Sequence, residues 1–215
     1  MRSAAALLVL LVLVPAGLAG TDPRAEKERL TPADMSLARK AALQRDDLPA
    51  GWTPLRSRAN DGKVPSCRDY RPDFSRFTIT GKSQTAFQHA AGASIFSSIE
   101  VFRSRGQAVG DFRVGTAPQV ARCLKVLLNK ALEQARGFTA EIVSSRQVAA
   151  PRIGERSAAY RLVAEIGAGG PALTLYIDVL VFQRGRSIAV LSFTGASQPV
   201  QGQAPVARAV ASRLR

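Results

Sequence analysis

Apolar and polar positions divide the chain into recognisable segments from its first residues. After Arg2, an unbroken apolar run from Ala4 to Val14 is closed by Pro15, and Gly17 and Ala19 stand at the spacing of a cleavage site after Ala19. That is the pattern of a secretory signal. The run is about half the roughly 20 residues a membrane span requires, so residues 1–19 are read as a removable signal peptide, with a retained anchor as the alternative. Residues 20–30, ending "TDPRAEKERL", are mostly polar and read as a flexible, solvated leader.

A single domain is expected over 31–215. "TPADMSLARKAALQR" (31–45) offers Thr31, Pro32 at the first helical position and Asp34 three residues after the threonine, a helix start with an acid at the positive end of the dipole. Met35, Ala38 and Ala42 fall on one face with Leu43 at its edge, a thin stripe. The helix runs into "DDLPAGWTP" (46–54), where Pro49 and Gly51 oppose helix. Leu48 and Trp52, the chain's one tryptophan, are expected to fold back and plug the helix against the body of the domain. Stacking of Trp52 on a ligand is the alternative, which makes it a weak ligand-binding candidate.

From Phe74 to Phe102 the pattern turns to strands. "RFTIT", "TAFQH" and "ASIFSSIEVFRS" are rich in β-branched and aromatic residues and are expected to be broken by Gly81 and Gly92. In the last run Ile95, Ile99 and Val101 alternate against Phe96 and Phe102, so both faces are expected to be covered. "PQVARCLKVLLNKALEQARG" (118–137) is the clearest helix, with Val120, Cys123, Leu124, Leu127, Leu128 and Leu132 at steps of three and four and Gly137 as the stop. Four strand-like runs follow: "AEIVSSRQV", "SAAYRLVAEI", "ALTLYIDVLVF" and "SIAVLSFTG". "GAGGP" links the second to the third, and Arg184-Gly185 makes a tight turn between the third and fourth. A last helix carries Val206, Val210 and Leu214 on one face. Short links require antiparallel pairing. The predicted fold is therefore α+β, an antiparallel sheet of about six or seven strands flanked by helices in an α/β/α-type sandwich.

Composition changes this picture in one respect. The net charge is +14, and no acid follows Asp178, whereas five arginines do. A basic C-terminal region could hold anionic wall polymer, lipid head groups at a membrane surface or an acidic protein partner, with Arg208 and Arg213 as the candidate contacts. The 24 arginines against 6 lysines in an alanine-rich chain also fit a plain compositional bias. Export and the scatter of the arginines argue against nucleic acid.

Candidate chemistry is sparse. "RFTITGKS" ends like a phosphate loop, but Arg76 stands where the first glycine is needed. "GAGGPA" (167–172) fits G-x-G-x-x-A, yet a strand follows and Pro171 removes an amide. No G-x-S-x-G elbow is present. His89 is the only histidine, in a strand-like run, so a histidine metal cluster and a His-based triad are both poorly served. The expectation is a non-enzymatic protein with no cofactor and no metal.

Cys67 and Cys123 are the only cysteines, both beyond the signal. An even count in an oxidising compartment favours a disulfide. Two separate thiols are the alternative, and zinc would lack ligands. A bridge would tie the irregular loop "NDGKVPSCRDYRPD" to the 118–137 helix.

The order "DDLPAGW", "SIFSSIEVF", "VARCLKVLLNKAL" and "VFQRGRSIAVLSFTG" before a terminal helix resembles the PknH-type sensor-domain family of exported or membrane-tethered actinobacterial proteins. The resemblance spans roughly residues 35–215. It implies an antiparallel sheet between helices and a cleft for an unidentified small ligand. The chain departs from the kinase-borne members in having two cysteines where four are expected. The functional expectation is an exported, sensor-like binding module of the cell envelope. Its cleft would lie between the sheet and the 118–137 helix and admit a small apolar or amphipathic ligand.

Overall fold

A computed structural model describes residues 22–56, 66–132, 139–167 and 172–214. The signal segment, the Gly137 helix stop and most of the "GAGGP" link lie outside the described residues. The protein is α+β, with four α-helices among the described residues and a mostly antiparallel open sheet. The strands are β1 (Lys27–Glu28), β2 (Trp52–Leu55), β3 (Thr78–His89), β4 (Ser94–Phe102), β5 (Thr139–Val148), β6 (Arg156–Gly167), β7 (Leu173–Arg184) and β8 (Ser187–Ala196). The helices are α1 (Pro32–Ala41), α2 (Arg105–Gly115), α3 (Val120–Leu132) and α4 (Gln203–Arg213). Sheet order is β1-β3-β4-β8-β7-β6-β5, with β2 beside β1 on the outer edge of β3. Only β1 is parallel to its neighbour.

Two expectations are corrected, and two elements appear that the periodicity did not announce. Residues 24–31 are no solvated leader: Ala25 and Glu26 are buried, and Lys27, Arg29 and Thr31 donate their amides to Phe77, Ile79 and Thr80 along β3. Charge alternation there is that of an edge strand. Gly81 does not end a strand. It sits at a register shift in the middle of β3, and a side chain at this position would collide with the Asp34 backbone, so glycine lets α1 lie directly on the strand. "WTPL" forms β2, paired from Trp52↔His89 to Leu55↔Ala86; Pro54 is tolerated because the strand lies on an edge. Finally, "RGQAVGDFRVG" forms α2, a helix that its three glycines hide from any periodicity count. Its signal was the cap: the Ser104 hydroxyl accepts from the Gln107 amide.

The α1 start forms as its residues predict, with the Thr31 hydroxyl accepting from the Asp34 amide at 3.2 Å. Gly185, at φ +57°, opens the two-residue turn between β7 and β8. Strand alternation separates two apolar clusters. Ile95, Ile99, Leu180, Phe182 and Leu191 cluster with Ala38 and Ala41 of α1 and Val206 and Val210 of α4. Tyr160, Leu162, Ile177, Val179 and Ile188 cluster instead with Ala108 and Phe112 of α2 and Val120 and Ala121 of α3.

Aspartate–arginine forks lace the first cluster. Arg186, from the β7–β8 turn, grips both carboxylate oxygens of Asp34 in α1. Arg161 of β6 holds Asp178 of β7 at 2.6 and 2.9 Å, and Gln203 at the start of α4 also donates to Asp178. The Asp34 fork joins elements 152 residues apart and the Asp178 fork joins neighbouring strands, both at nearly buried carboxylates, where charge-assisted bidentate bonds are strongest.

Candidate ligand cleft

The face of the sheet toward α2 and α3 is built from cross-strand rows. One row runs Tyr160, Val179, Ser192, Phe96, Ala86, Leu55 from β6 to β2. The next runs Leu162, Ile177, Thr194, Ser94, Gln88, Thr53. Strands stand about 4.8 Å apart, and Ser94 and Ser192 are diagonal neighbours, about 7 Å apart at that geometry. The Ser94, Ser192 and Tyr160 side chains are 4%, 2% and 1% exposed residues whose hydroxyl oxygens have no hydrogen-bond partner. Burial pushes the Tyr160 hydroxyl up to about 12, so it stays protonated.

Over the sheet's β5 end lies α3. Cys123, near its start, is bridged to Cys67, with Cα atoms 5.7 Å apart, inside the range a disulfide spans. Tyr70, three residues after Cys67, donates its hydroxyl to the Val114 carbonyl at 2.7 Å, so the 66–74 segment is pinned to the end of α2 as well. The Ser145 hydroxyl donates to the Ala121 carbonyl, the Ile142 amide to the Asn129 side chain, and the Lys125 ammonium to the Val143 carbonyl. All three fasten α3 to β5. Yet Leu124, Leu127 and Leu128, the apolar stripe that should be most buried, are only half-buried, and Val126 is exposed.

Acidic groups gather at the α2 end of this face. Glu26, Glu100 and Asp111 are all buried. Burial, then the charges of Glu100 and Glu26, lifts the Asp111 carboxyl well above the ordinary range, and Glu26, hydrogen-bonded to it, is raised chiefly by its own burial. Burial likewise keeps the Tyr70 hydroxyl protonated.

The residues singled out by sequence reasoning are not brought together. Trp52 lies within the α1/α4 cluster at 7% exposure, its ring 5.3 Å from that of His89, so it packs as a plug beside Leu48. Alternation along β3 and β4 puts His89 on the face opposite Ser94. Its Nδ1 accepts from the Ala91 amide, and both cysteines are bridged, which leaves no histidine–thiol pair. Arg208 is exposed on α4, but Arg213 is engaged inside the molecule, donating to both Asp47 oxygens at 2.8 and 2.6 Å and to the Ala42 carbonyl. Among the described residues, no group of three histidine, cysteine or acidic side chains is placed to hold a metal, and no helix is long and apolar enough to cross a membrane. What sequence reasoning missed is the hydroxyl row. Its signal was the alternation Ser94, Phe96, Ser98, Glu100 in "SIFSSIEVF", three polar groups on a face otherwise read as aromatic.

Comparison with known proteins adds little. No family model and no curated protein matches the chain. A solved protein of unknown function from Pseudomonas aeruginosa, PA94, is similar at 18% identity over 67% of this chain and 83% of its own, with a TM-score of 0.26.

Proposed function

We propose that the protein is an exported, non-enzymatic binding module of the sensor-like kind, with a cleft between α3 and the sheet for a small apolar or amphipathic ligand. The observation that carries this reading is the α3 leucine stripe. The most amphipathic of the described helices is fixed to the edge strand by three polar contacts and to the 66–74 segment by a disulfide, while Leu124, Leu127 and Leu128 stay half-buried. A helix that served only to close a core would bury that stripe. The two apolar clusters support an α/β/α sandwich as the frame around the cleft, as the resemblance to PknH-type domains implies. The bridged cysteines fit an oxidising compartment outside the cytoplasm. The occupied His89 and the bridged thiols favour binding over catalysis.

Native mass spectrometry of protein purified from its own host tests the reading. A reproducible adduct in the range of a small lipid or wall fragment, lost on denaturation, is expected. Repeated preparations that carry nothing, with no lipid or wall fragment raising Tm, would sink it. The rival reading, attachment to anionic envelope material, now rests on Arg208 without Arg213, and unchanged salt-sensitive retention on anionic vesicles after Arg208→Glu would dispose of it.

A further inference from the structure

Several arginines are spent inside the fold: Arg161, Arg186 and Arg213 in carboxylate forks, and Arg105 beside Glu155. Arg68, Arg71, Arg113 and Arg122 are different. All four are exposed, and among the described residues none of them meets a carboxylate. Two ties gather them on one corner of the molecule. The Cys67–Cys123 bridge, with its Cα atoms 5.7 Å apart, has Arg68 and Arg122 one residue from its two ends. At about 3.8 Å per Cα step those two arginine Cα atoms lie within about 13 Å of each other. The Tyr70–Val114 hydrogen bond does the same for Arg71 and Arg113. Cys67 and Tyr70 exchange both of their backbone hydrogen bonds, so the two ties stand side by side. Residues 66–76 and 113–125 together carry six basic and two acidic side chains. Arg122 falls in the first turn of α3, which holds no acid, so its charge opposes the helix dipole and helix stability gives no reason for it.

A second observation concerns apolar groups. Leu30, Val126 and Val143 are the exposed large apolar side chains among the described residues, and two of the three stand at this corner. Val126 is 57% exposed and lies four residues from Arg122, so the outer face of α3 presents a cation and an open apolar side chain together. Lys125 donates to the Val143 carbonyl at 3.1 Å, which sets the second valine beside the same helix. We propose that the outer face of α3 and the 66–76 segment form a docking surface for an anionic phospholipid bilayer, with Arg68, Arg71, Arg113 and Arg122 on head-group phosphates and Val126 and Val143 at the head-group boundary. A bilayer offers both halves of this surface a partner, phosphates for the guanidinium groups and an apolar boundary for the valines. A soluble polyanion would engage the arginines and leave the valines in water. The surface is separate from the cleft, which lies under the inward stripe of the same helix. It is separate also from Arg208, because α4 packs on the other face of the sheet.

Co-sedimentation of the mature protein with phosphatidylcholine vesicles, with and without about 30% phosphatidylglycerol, tests the surface. Binding should need the anionic lipid and fall at least about tenfold between about 50 and 300 mM salt. Each arginine at a bilayer surface is worth about fivefold, so Arg68→Gln/Arg71→Gln/Arg113→Gln/Arg122→Gln should weaken binding at least about 100-fold. Val126→Ser should weaken it about threefold to tenfold. The comparison variant Arg39→Gln/Lys40→Gln/Arg208→Gln removes exposed charges from α1 and α4, on the other side of the sheet, and should stay within about threefold of wild type. A loss there as large as in the quadruple variant would mean that net charge alone holds the vesicle, and would overturn the proposal. So would a failure to bind anionic vesicles at all. Polyphosphate or polyglutamate bound as tightly as vesicles, with Val126→Ser unaffected, would reassign the corner to a soluble polyanion or an acidic protein and overturn it as well. The four arginines make no described contact with an acid, so Tm of the quadruple variant should stay within about 2 °C of wild type. If that variant does not fold, Arg68→Gln/Arg122→Gln is read by the same criteria at about 20-fold. An empty cleft in native mass spectrometry leaves every one of these outcomes unchanged.

Discussion

Opening the Cys67–Cys123 bridge should cost a large share of the protein's stability without erasing the fold. The two cysteines are 56 residues apart in sequence. In the chain-entropy treatment, a closed loop of that length removes about 4 kcal/mol of freedom from the unfolded chain at 25 °C. For a domain of this size each kcal/mol moves Tm by about 2–4 °C, so reduction, or the double variant Cys67→Ser/Cys123→Ser, should lower Tm by about 8–16 °C. Native contacts around the bridge persist in its absence. Tyr70 still donates to Val114, Ser145 to Ala121 and the Ile142 amide to Asn129, so far-ultraviolet circular dichroism at 20 °C should be unchanged. The assay is a pair of melts at pH 7, with and without reductant, alongside the mass of unreduced, denatured protein after alkylation. Two alkylatable thiols in the unreduced protein, or a Tm change below about 2 °C on reduction, would refute the reasoning.

Other outcomes follow from the same contacts. The hydrogen-bonded Arg186 guanidinium holds the Asp34 carboxyl below the usual range, so its stabilisation is present above about pH 4 and lost as pH falls through the lowered folded value. Asp34→Asn should cost about 1–3 kcal/mol at pH 7, with the gap to wild type closing in acid denaturation series. Asp111 and Glu26 have the opposite sign. Raised by burial, they favour the fold while protonated, and that contribution is lost as pH rises from about 4 through their folded values. Asp111→Asn should therefore raise Tm at pH 8 and leave it level at pH 4; no gain at pH 8 would contradict the burial argument. Gly81→Ala forces a methyl into the Asp34 backbone and should destabilise by about 2 kcal/mol or more, whereas Gly115→Ala meets nothing within 4 Å in α2 and should stabilise by about 0.5 kcal/mol, both read by urea denaturation.

Legibility in the sequence followed the strength of periodic signals. The start of α3, the four C-terminal strands and the Arg184-Gly185 turn all declare themselves by spacing, and their places agree with the structure within a residue or two. The elements that were missed depend on partners distant in the chain. Residues 27–28 become a strand only because β3 offers an open edge, and Gly81 continues β3 only because α1 needs the space that a side chain would fill. The α2 segment carries Gly106, Gly110 and Gly115, so propensity points away from helix, and its burial of Ala108 and Phe112 against the sheet decides the matter. The hydroxyl row was equally hidden, because Ser94, Ser192 and Tyr160 lie on three strands and only the pairing register brings them to one face. Arg213 illustrates the reverse case: its position in a basic C-terminal region suggested a surface contact, and only the fold reveals Asp47 beside it.

The most direct test of a ligand cleft between α3 and the sheet is difference electron density in crystals of protein isolated from its own host. The account predicts continuous density along Leu124 and Leu128, between α3 and the sheet. A gap filled by the chain's own side chains, with α3 closed onto the sheet and no density between them, would contradict it.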